Sequence, residues 1–288
     1  MRSPARTIVI YAGVALLVAW TLVPIYWLIN MSLSHQAEIV QAHFIPDHPT
    51  LCNYVRIFSD TYPCKALDGS PYPAIGQATA VRQGLINSLI IAVIVTILTM
   101  AVSVPAAYAI GRLTFEGKGK LLLTIVMSRS YPPIAILIPF FSMYQKLQIQ
   151  GTILGLIIIY LTLTIPLVVW ILSGFFSSLP RSLERLARVD GCTPFQALYR
   201  VLIRVAMPGV TACAVIAFLT CWNEFTFALM LTPGSSAQTF PPALAAMFTN
   251  VSYPNENAAA ALLALIPVMI LAYLFQSRIR GLNLVDPL

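Results

Sequence analysis

Residues 84–110 read GLINSLIIAVIVTILTMAVSVPAAYAI, a stretch with no charged side chain. About 20 apolar residues in a helix cross a bilayer core about 30 Å thick, so this stretch is long enough to span a membrane. The whole chain has the same character, since 58% of its 288 residues are hydrophobic and 9% are charged. Soluble domains carry about 25% charged residues. The composition argues against a soluble enzyme and a disordered chain, and it predicts an all-α membrane protein.

Five further stretches have this length and character. Together they predict six membrane-spanning helices, at roughly 7–29, 84–110, 121–142, 153–176, 208–232 and 258–276. The first stretch follows Arg2 and Arg6, as the apolar part of a signal sequence would. It is too long for that role and no small-residue cleavage site follows it, so we expect it to remain as a membrane anchor.

The distribution of Lys and Arg sets the orientation. Six spans place both termini on one side of the membrane, and Lys and Arg are concentrated in cytoplasmic loops. With cytoplasmic termini, twelve basic residues lie inside, namely Arg2, Arg6, Arg112, Lys118, Lys120, Arg181, Arg185, Arg188, Arg200, Arg204, Arg278 and Arg280. Four lie outside, namely Arg56, Lys65, Arg82 and Lys146. We therefore predict cytoplasmic termini. Topology also accounts for the net charge of +7, so no nucleic-acid partner is expected.

The spans divide the chain into three parts. Residues 1–29 are predicted to form the cytoplasmic N-terminus and the first span, and residues 30–83 an external loop. Residues 84–288 form a core of five spans, with a long cytoplasmic connection at 177–207.

The external loop contains Cys52 and Cys64, together with His35, His43 and His48. A disulfide between the two cysteines and a pair of free thiols are both compatible with the sequence, because spacing does not determine the distance between their Cα atoms. The histidines match no recognised ligand spacing, so no metal site is expected.

The connection at 177–207 is basic and has helical patterning. Leu183, Leu186, Ala187 and Val189 are predicted to form one apolar face of a short helix, in which Glu184 pairs with Arg188 at i,i+4. Asp190 and Gly191 then break this helix.

A second helix is predicted to follow, opened by a capping box over 193–196 with proline at the first helical position. It presents Phe195, Leu198, Tyr199, Leu202 and Ile203 on one side and Arg200 and Arg204 on the other. Two helices joined by a glycine turn suit a docking surface, and a solvated basic face that obeys the charge rule is the alternative.

The turn at 111–118, GRLTFEGK, is only superficially similar in sequence to a phosphate-binding loop. It has five residues between its glycines where such a loop has four, and Gly119 stands where a Ser or Thr would hold magnesium. No HExxH, GxSxG or helically spaced carboxylate pair occurs elsewhere. We therefore expect no enzymatic activity and no cofactor on this chain.

Arg129 and Glu224 are ionisable residues inside predicted spans. Exposure of such a charge to lipid at mid-bilayer costs roughly 2.5–3.5 kcal/mol, so both should face protein or water. Their depths differ by about 12 Å at about 1.5 Å per residue, which argues against a direct ion pair. Glu224 follows Trp222 and Asn223, and an aromatic face beside hydrogen-bonding groups suits a sugar ring. A polar helix–helix contact or an interfacial Trp anchor fits these residues equally well.

Residues 182–209, SLERLARVDGCTPFQALYRVLIRVAMPG, resemble the EAA loop of bacterial ABC-importer permeases, which runs EAAxxDGA and ends in proline. The shared positions are Ala187, Asp190, Gly191, Thr193, Pro194 and Pro208. The leading Glu of that motif aligns with Arg185, and Glu184 stands one position earlier. Either Glu184 takes the place of the family's glutamate or the cognate ATPase has co-adapted.

Other stretches are similar to the MalG-like permeases of carbohydrate importers and extend the resemblance over nearly the whole chain. They are Asn87-Ser88, Ala107-Tyr108-Ala109 with Arg112 and Phe115, Arg129-Ser130-Tyr131-Pro132-Pro133, and Trp222-Asn223-Glu224-Phe225.

The resemblance implies the type I ABC-importer permease fold in a multi-pass protein of the bacterial inner membrane. Such a chain forms the pathway for a sugar, oligosaccharide or polyol with a second homologous permease. Two ATPase subunits carry the ATP and magnesium, and an extracytoplasmic solute-binding protein delivers the substrate. The implied ATPase-docking residues are Glu184, Arg185, Arg188, Asp190, Gly191, Thr193 and Phe195, and the candidate pathway residues are Trp222, Asn223, Glu224 and Arg129.

Three alternatives remain at this point. The first is an ABC importer for a non-sugar solute. The second is a stand-alone secondary transporter, which would need inverted repeats or an ion-coupling carboxylate network. The third is a membrane anchor for an enzyme complex, which would not need the docking loop.

Overall fold

The computed structural model of the chain describes residues 4–41, 43–59, 64–71, 78–250 and 253–280. Regular structure in these ranges is helical, apart from one isolated β-bridge between Lys65 and Pro71. The predicted all-α class is therefore confirmed. The chain forms two compact units. The first comprises Met1–Arg82 and Ala243–Ile266, and the second comprises Gln83–Pro242 and Pro267–Leu288.

The helices are numbered in chain order. They are α1 Pro4–Leu33, α2 Cys52–Phe58, α3 Ala78–Arg112, α4 Lys118–Met127, α5 Pro133–Lys146, α6 Ile153–Ser178, α7 Arg181–Val189, α8 Pro194–Ala197, α9 Ile203–Val205, α10 Met207–Trp222, α11 Thr226–Leu231, α12 Phe240–Asn250 and α13 Pro254–Arg280. A 3₁₀ helix covers Gln36–Gln41, and a π-helical turn at Leu198–Leu202 joins α8 to α9.

Four helices in the described ranges are long and apolar enough to cross a membrane alone. They cover Thr7–Leu33, Thr79–Arg112, Ile153–Ser178 and Pro254–Ser277. These helices match the first, second, fourth and sixth predicted spans.

The other two predicted spans are interrupted, so the prediction of continuous helices there is wrong. Within 121–142, α4 ends at Met127 and α5 begins at Pro133. The consecutive prolines Pro132 and Pro133 explain this break, because proline lacks an N–H and disfavours helical geometry in the residue before it. Within 208–232, α10 ends at Trp222 and α11 begins at Thr226.

Polar contacts organise the external loop in the first unit. A disulfide joins Cys52 at the start of α2 to Cys64, with their Cα atoms 5.8 Å apart. The Asn53 amide donates to the carbonyl oxygens of Ser32 and Ser34, at 2.8 and 3.0 Å. The Asn255 amide donates to the Ser34 oxygen at 2.7 Å. The loop is therefore bound both to the end of α1 and to the start of α13.

The core of the second unit lies where α3, α6 and α10 meet the connection that follows α7. The buried residues of this cluster are Val104, Ala107, Tyr108, Val168, Leu172, Phe176, Leu198, Leu202, Ala206, Cys213 and Ala217. The α3 and α6 backbones approach closely at Gly111, where an added Cβ would come within 2.8 Å of the Ser173 carbonyl oxygen. This core holds the predicted docking loop against the ends of two spans.

Candidate functional site

The first half of the site is α7, which presents apolar side chains in two directions. Leu183 is half-buried and Ala187 is buried, four residues apart on the face towards the core. Leu186 and Val189, three residues apart, are exposed, and Val189 is 84% accessible. The predicted single apolar face is therefore wrong. Two of its four members pack inward, and the other two are free to meet a partner.

A glycine turn ends α7 as predicted. Gly191 has φ of +78°, a conformation that residues with a Cβ adopt at a cost. The backbone N–H groups of Gly191 and Cys192 donate to the carbonyl oxygens of Arg188 and Ala187, both at 3.0 Å. These bonds satisfy the last carbonyls of α7 and turn the chain towards α8.

The second half begins with the predicted capping box. The Thr193 hydroxyl accepts from the Gln196 N–H at 3.3 Å, and the Gln196 side chain accepts from the Thr193 N–H at 3.0 Å. Beyond it, Leu198 and Leu202 are fully buried in the core, whereas Phe195 and Tyr199 are exposed. The predicted apolar side of this helix is thus also divided between core and surface.

Four of the exposed apolar side chains define what we call the docking patch, namely Leu186, Val189, Phe195 and Tyr199. The rings of Phe195 and Tyr199 lie 5.7 Å apart. The helical segment Pro194–Val205 then meets α10 at an angle of 84°. Its π-helical turn is a rare geometry that is frequent at functional sites.

Most of the predicted docking residues are on the surface, and one is turned inward. Arg185, Arg188, Asp190, Gly191, Thr193 and Phe195 are exposed. The Glu184 side chain is only 13% exposed. It accepts hydrogen bonds from the Tyr108 hydroxyl at 3.2 Å and from Arg188 at 2.8 Å. Its second oxygen lies 3.5 Å from Nε of Arg112.

Glu224, in the second candidate site, stabilises the start of α11. Its carboxylate accepts from the backbone N–H groups of Phe227 at 2.9 Å and Ala228 at 3.1 Å. It also accepts from the Tyr160 hydroxyl at 2.9 Å. These bonds satisfy the intramembrane charge and explain why the predicted span 208–232 is broken here.

The other candidate pathway residues differ in exposure. Trp222 is buried and stacks on Phe218, with the ring centroids 5.8 Å apart. Asn223 and Arg129 are exposed. No ion pair joins Arg129 to Glu224 in the described part of the chain.

The break between α4 and α5 borders a cleft of about 490 Å³. Its polar lining comes from Ser128, Arg129, Tyr131 and Thr162, and its apolar lining includes Phe140. The predicted pathway residues do not include Tyr131, Thr162 or Tyr160, the partner of Glu224. The two consecutive prolines after Tyr131 were the available signal, because they predict a helix break inside an apolar stretch.

Comparison with known proteins gives a family and a fold. The family described as "Binding-protein-dependent transport system inner membrane component" matches residues 103–280. The chain is 32% identical over 268 residues to the trehalose transport system permease protein SugB of Mycobacterium tuberculosis, covering 92% of this chain and 91% of that protein. It is 31% identical over 277 residues to the trehalose/maltose transport system permease protein MalG of Thermococcus litoralis, covering 95% and 94%.

A further relative is the sulfoquinovosyl glycerol transport system permease protein SmoH of Agrobacterium fabrum, 30% identical over 93% of this chain and 89% of that protein. Among solved structures, the fold is similar to a chain of a bacterial ABC transporter involved in the import of the acidic polysaccharide alginate. The TM-score is 0.76 at 20% identity, and the match covers 96% of this chain and 98% of the other. The chain therefore belongs to the family of inner-membrane components of binding-protein-dependent transport systems, as a permease subunit of an ABC importer that works with ATPase subunits and a binding protein.

Proposed function

We propose that this chain forms the pathway for a carbohydrate together with a second, homologous permease. Two ATPase subunits would bind and hydrolyse ATP with magnesium, and this chain would hold no cofactor. The substrate class is supported by the relatives, since the permeases described above belong to systems for trehalose, maltose and sulfoquinovosyl glycerol.

The docking patch is the observation that carries the proposal. It places four large apolar side chains on the surface of a connection that the charge distribution assigns to the cytoplasm. Exposed apolar surface is unfavourable in water by about 25 cal/mol per Å², and contiguous patches of it mark interaction sites. The exposed side chains of Arg185 and Arg188 provide a polar rim beside it. Docking of an ATPase subunit here would explain both features.

Co-purification tests the docking. The tagged chain is purified in mild detergent, and its partners are identified by mass spectrometry. We expect an ATPase and a second permease in the wild-type sample and loss of the ATPase from Val189→Glu, because a charge would be buried at the centre of the contact. Phe115→Glu is the matched control, since Phe115 is an exposed apolar residue of a different connection predicted to be cytoplasmic. Retention of the ATPase by Val189→Glu, or an equal loss in both variants, would exclude the docking patch as the contact.

The residues proposed to face the substrate pathway are Arg129 and Asn223, each exposed beside a break in a predicted span. Arg129, at membrane depth beside Tyr131 and Phe140, would donate to hydroxyl groups, and the two rings would suit the apolar face of a sugar. Trp222 and Glu224 would support this region from inside the protein. The carbohydrate retained by the co-purified binding protein, identified by mass spectrometry, would name the substrate.

A further inference from the structure

Arg112 ties the junction between α6 and α7 to the end of α3. Its side chain is only 3% exposed. Nη1 donates to the carbonyl oxygen of Leu179 at 2.8 Å, and Nη2 donates to that of Pro180 at 3.0 Å. Leu179 is the C-cap of α6, where the last carbonyls have no helical donor. The guanidinium therefore supplies a charged donor to the end of a span.

The same arginine continues into the docking loop through Glu184. Its Nε lies 3.5 Å from one Glu184 oxygen, and the Tyr108 hydroxyl donates to the other at 3.2 Å. Tyr108 and Arg112 are four residues apart on α3, so they lie on one helical face. A charge pair with little solvent contact is weakly screened. The three side chains thus form a contact between α3 and α7.

We propose that Arg112 and Tyr108 are positioning residues, which hold the docking loop to α3 through Glu184 so that α3 moves with the loop. This inference depends on the proposed function. Along the backbone, α7 is reached from α3 only through α4, α5 and α6. The contact at Glu184 gives a direct path from the ATPase surface to α3. It also gives Glu184 a role inside the permease, in place of the contact with the ATPase that the EAA resemblance implied.

Tyr144 provides a matched control in the same unit. Its hydroxyl donates to the Gly155 carbonyl oxygen at 3.0 Å, a bond that joins α5 to α6. Tyr144→Phe therefore removes a tyrosine hydroxyl bond, as Tyr108→Phe does, and leaves the contact between α3 and α7 in place.

The test uses the complete complex with its second permease and ATPases in proteoliposomes. The measured quantity is the factor by which the binding protein, purified with the carbohydrate it carries, stimulates ATP hydrolysis. We expect Glu184→Gln to lower this factor about three- to tenfold and Tyr108→Phe to lower it about two- to threefold, with the same amount of ATPase bound. Tyr144→Phe should stay within about twofold of wild type. Tyr108→Phe should add nothing to Glu184→Gln, because both act through one contact.

Two results would overturn the proposal. One is normal stimulation in Glu184→Gln. The other is loss of the ATPase from Glu184→Gln during purification, which would make Glu184 an ATPase contact. If Glu184→Gln does not assemble with the second permease, the decision falls to Tyr108→Phe, and normal stimulation there overturns the proposal. Failure of the wild-type complex to bind an ATPase would instead contradict the proposed function.

Discussion

The hydroxyl of Tyr160, in the first half of α6, donates to the carboxylate of Glu224 at 2.9 Å. This bond fixes the break between α10 and α11 to a neighbouring helix. Two backbone N–H groups also donate to this carboxylate, so the charge of Glu224 is used to build the broken helix. The three consecutive residues at this break therefore differ in environment. Trp222 is buried, Asn223 is exposed and Glu224 caps the start of α11.

Removal of the cap is expected to destabilise the protein. Glu224→Ala leaves two backbone donors and a tyrosine hydroxyl without their acceptor, at a cost of about 1–3 kcal/mol. Tyr160→Phe removes one of the three bonds and should cost about 1 kcal/mol. The midpoint of thermal unfolding in detergent measures both effects. Wild-type stability of Glu224→Ala would contradict the capping role, and a purely functional loss would favour a substrate contact.

The close approach of α3 and α6 depends on Gly111. An added Cβ would meet the Ser173 carbonyl oxygen at 2.8 Å and the Phe176 Cβ at 3.0 Å. Gly111→Ala should therefore separate the helices and destabilise the protein by about 1–3 kcal/mol, the usual cost of overpacking.

Gly174→Ala is the control for that variant. Gly174 lies in α6, where an added Cβ finds no atom within 4 Å, so the higher helix propensity of alanine should leave stability unchanged or raise it by up to about 1 kcal/mol. The midpoint of thermal unfolding should be lower for Gly111→Ala than for Gly174→Ala. Equal midpoints would show that α3 and α6 separate without a loss of stability.

The turn after α7 requires glycine for its backbone and not for space. Gly191 has φ of +78°, and nothing lies within 4 Å of an added Cβ. Gly191→Ala should cost about 1–2 kcal/mol through backbone strain alone, whereas Gly191→Asn should cost less because Asn tolerates this conformation. Gly119→Ala, at an equally open position without positive φ, controls for the extra methyl group. Gly191→Asn should retain more ATPase in detergent than Gly191→Ala. Greater retention by Gly191→Ala would contradict the strain argument.

Local rules predicted the parts of this protein that depend on neighbours in sequence. The Gly191 turn and the Thr193 capping box follow from residues within a few positions of one another, and both are present. Hydropathy located four uninterrupted spans, because a long apolar run has few other structures available in a membrane.

Long-range contacts could not be predicted in the same way. In the sequence, Arg112 is one of twelve basic residues on the predicted cytoplasmic side. Its partners Leu179 and Glu184 are determined by the packing of α3 against α6. Helical spacing placed Leu183 and Leu186 on one apolar face, but it carries no information about which of them meets the core and which meets a partner. Features that depend on residues close together in sequence could therefore be predicted, whereas contacts between distant residues could not.

The buried ion pair of the first unit gives the last prediction. Arg56 of α2 pairs with Glu256 at the start of α13, and both side chains are almost fully buried. The Arg56 guanidinium also lies 5.7 Å from the centre of the Tyr253 ring. Arg56→Met should destabilise the protein by about 3–5 kcal/mol, because it leaves a buried carboxylate without its counter-charge.

A second substitution separates charge from packing at this pair. Arg56→Met with Glu256→Leu removes both charges and should recover most of the loss, since well-packed apolar pairs replace buried ion pairs at little cost. Arg82→Met is the matched control, because Arg82 belongs to the same unit and its bond to the Phe58 carbonyl oxygen is exposed. Thermal unfolding of the four proteins provides the comparison. If the double variant is as unstable as Arg56→Met, the loss comes from packing around the arginine stem, and the charge pair is not what holds α2 to α13.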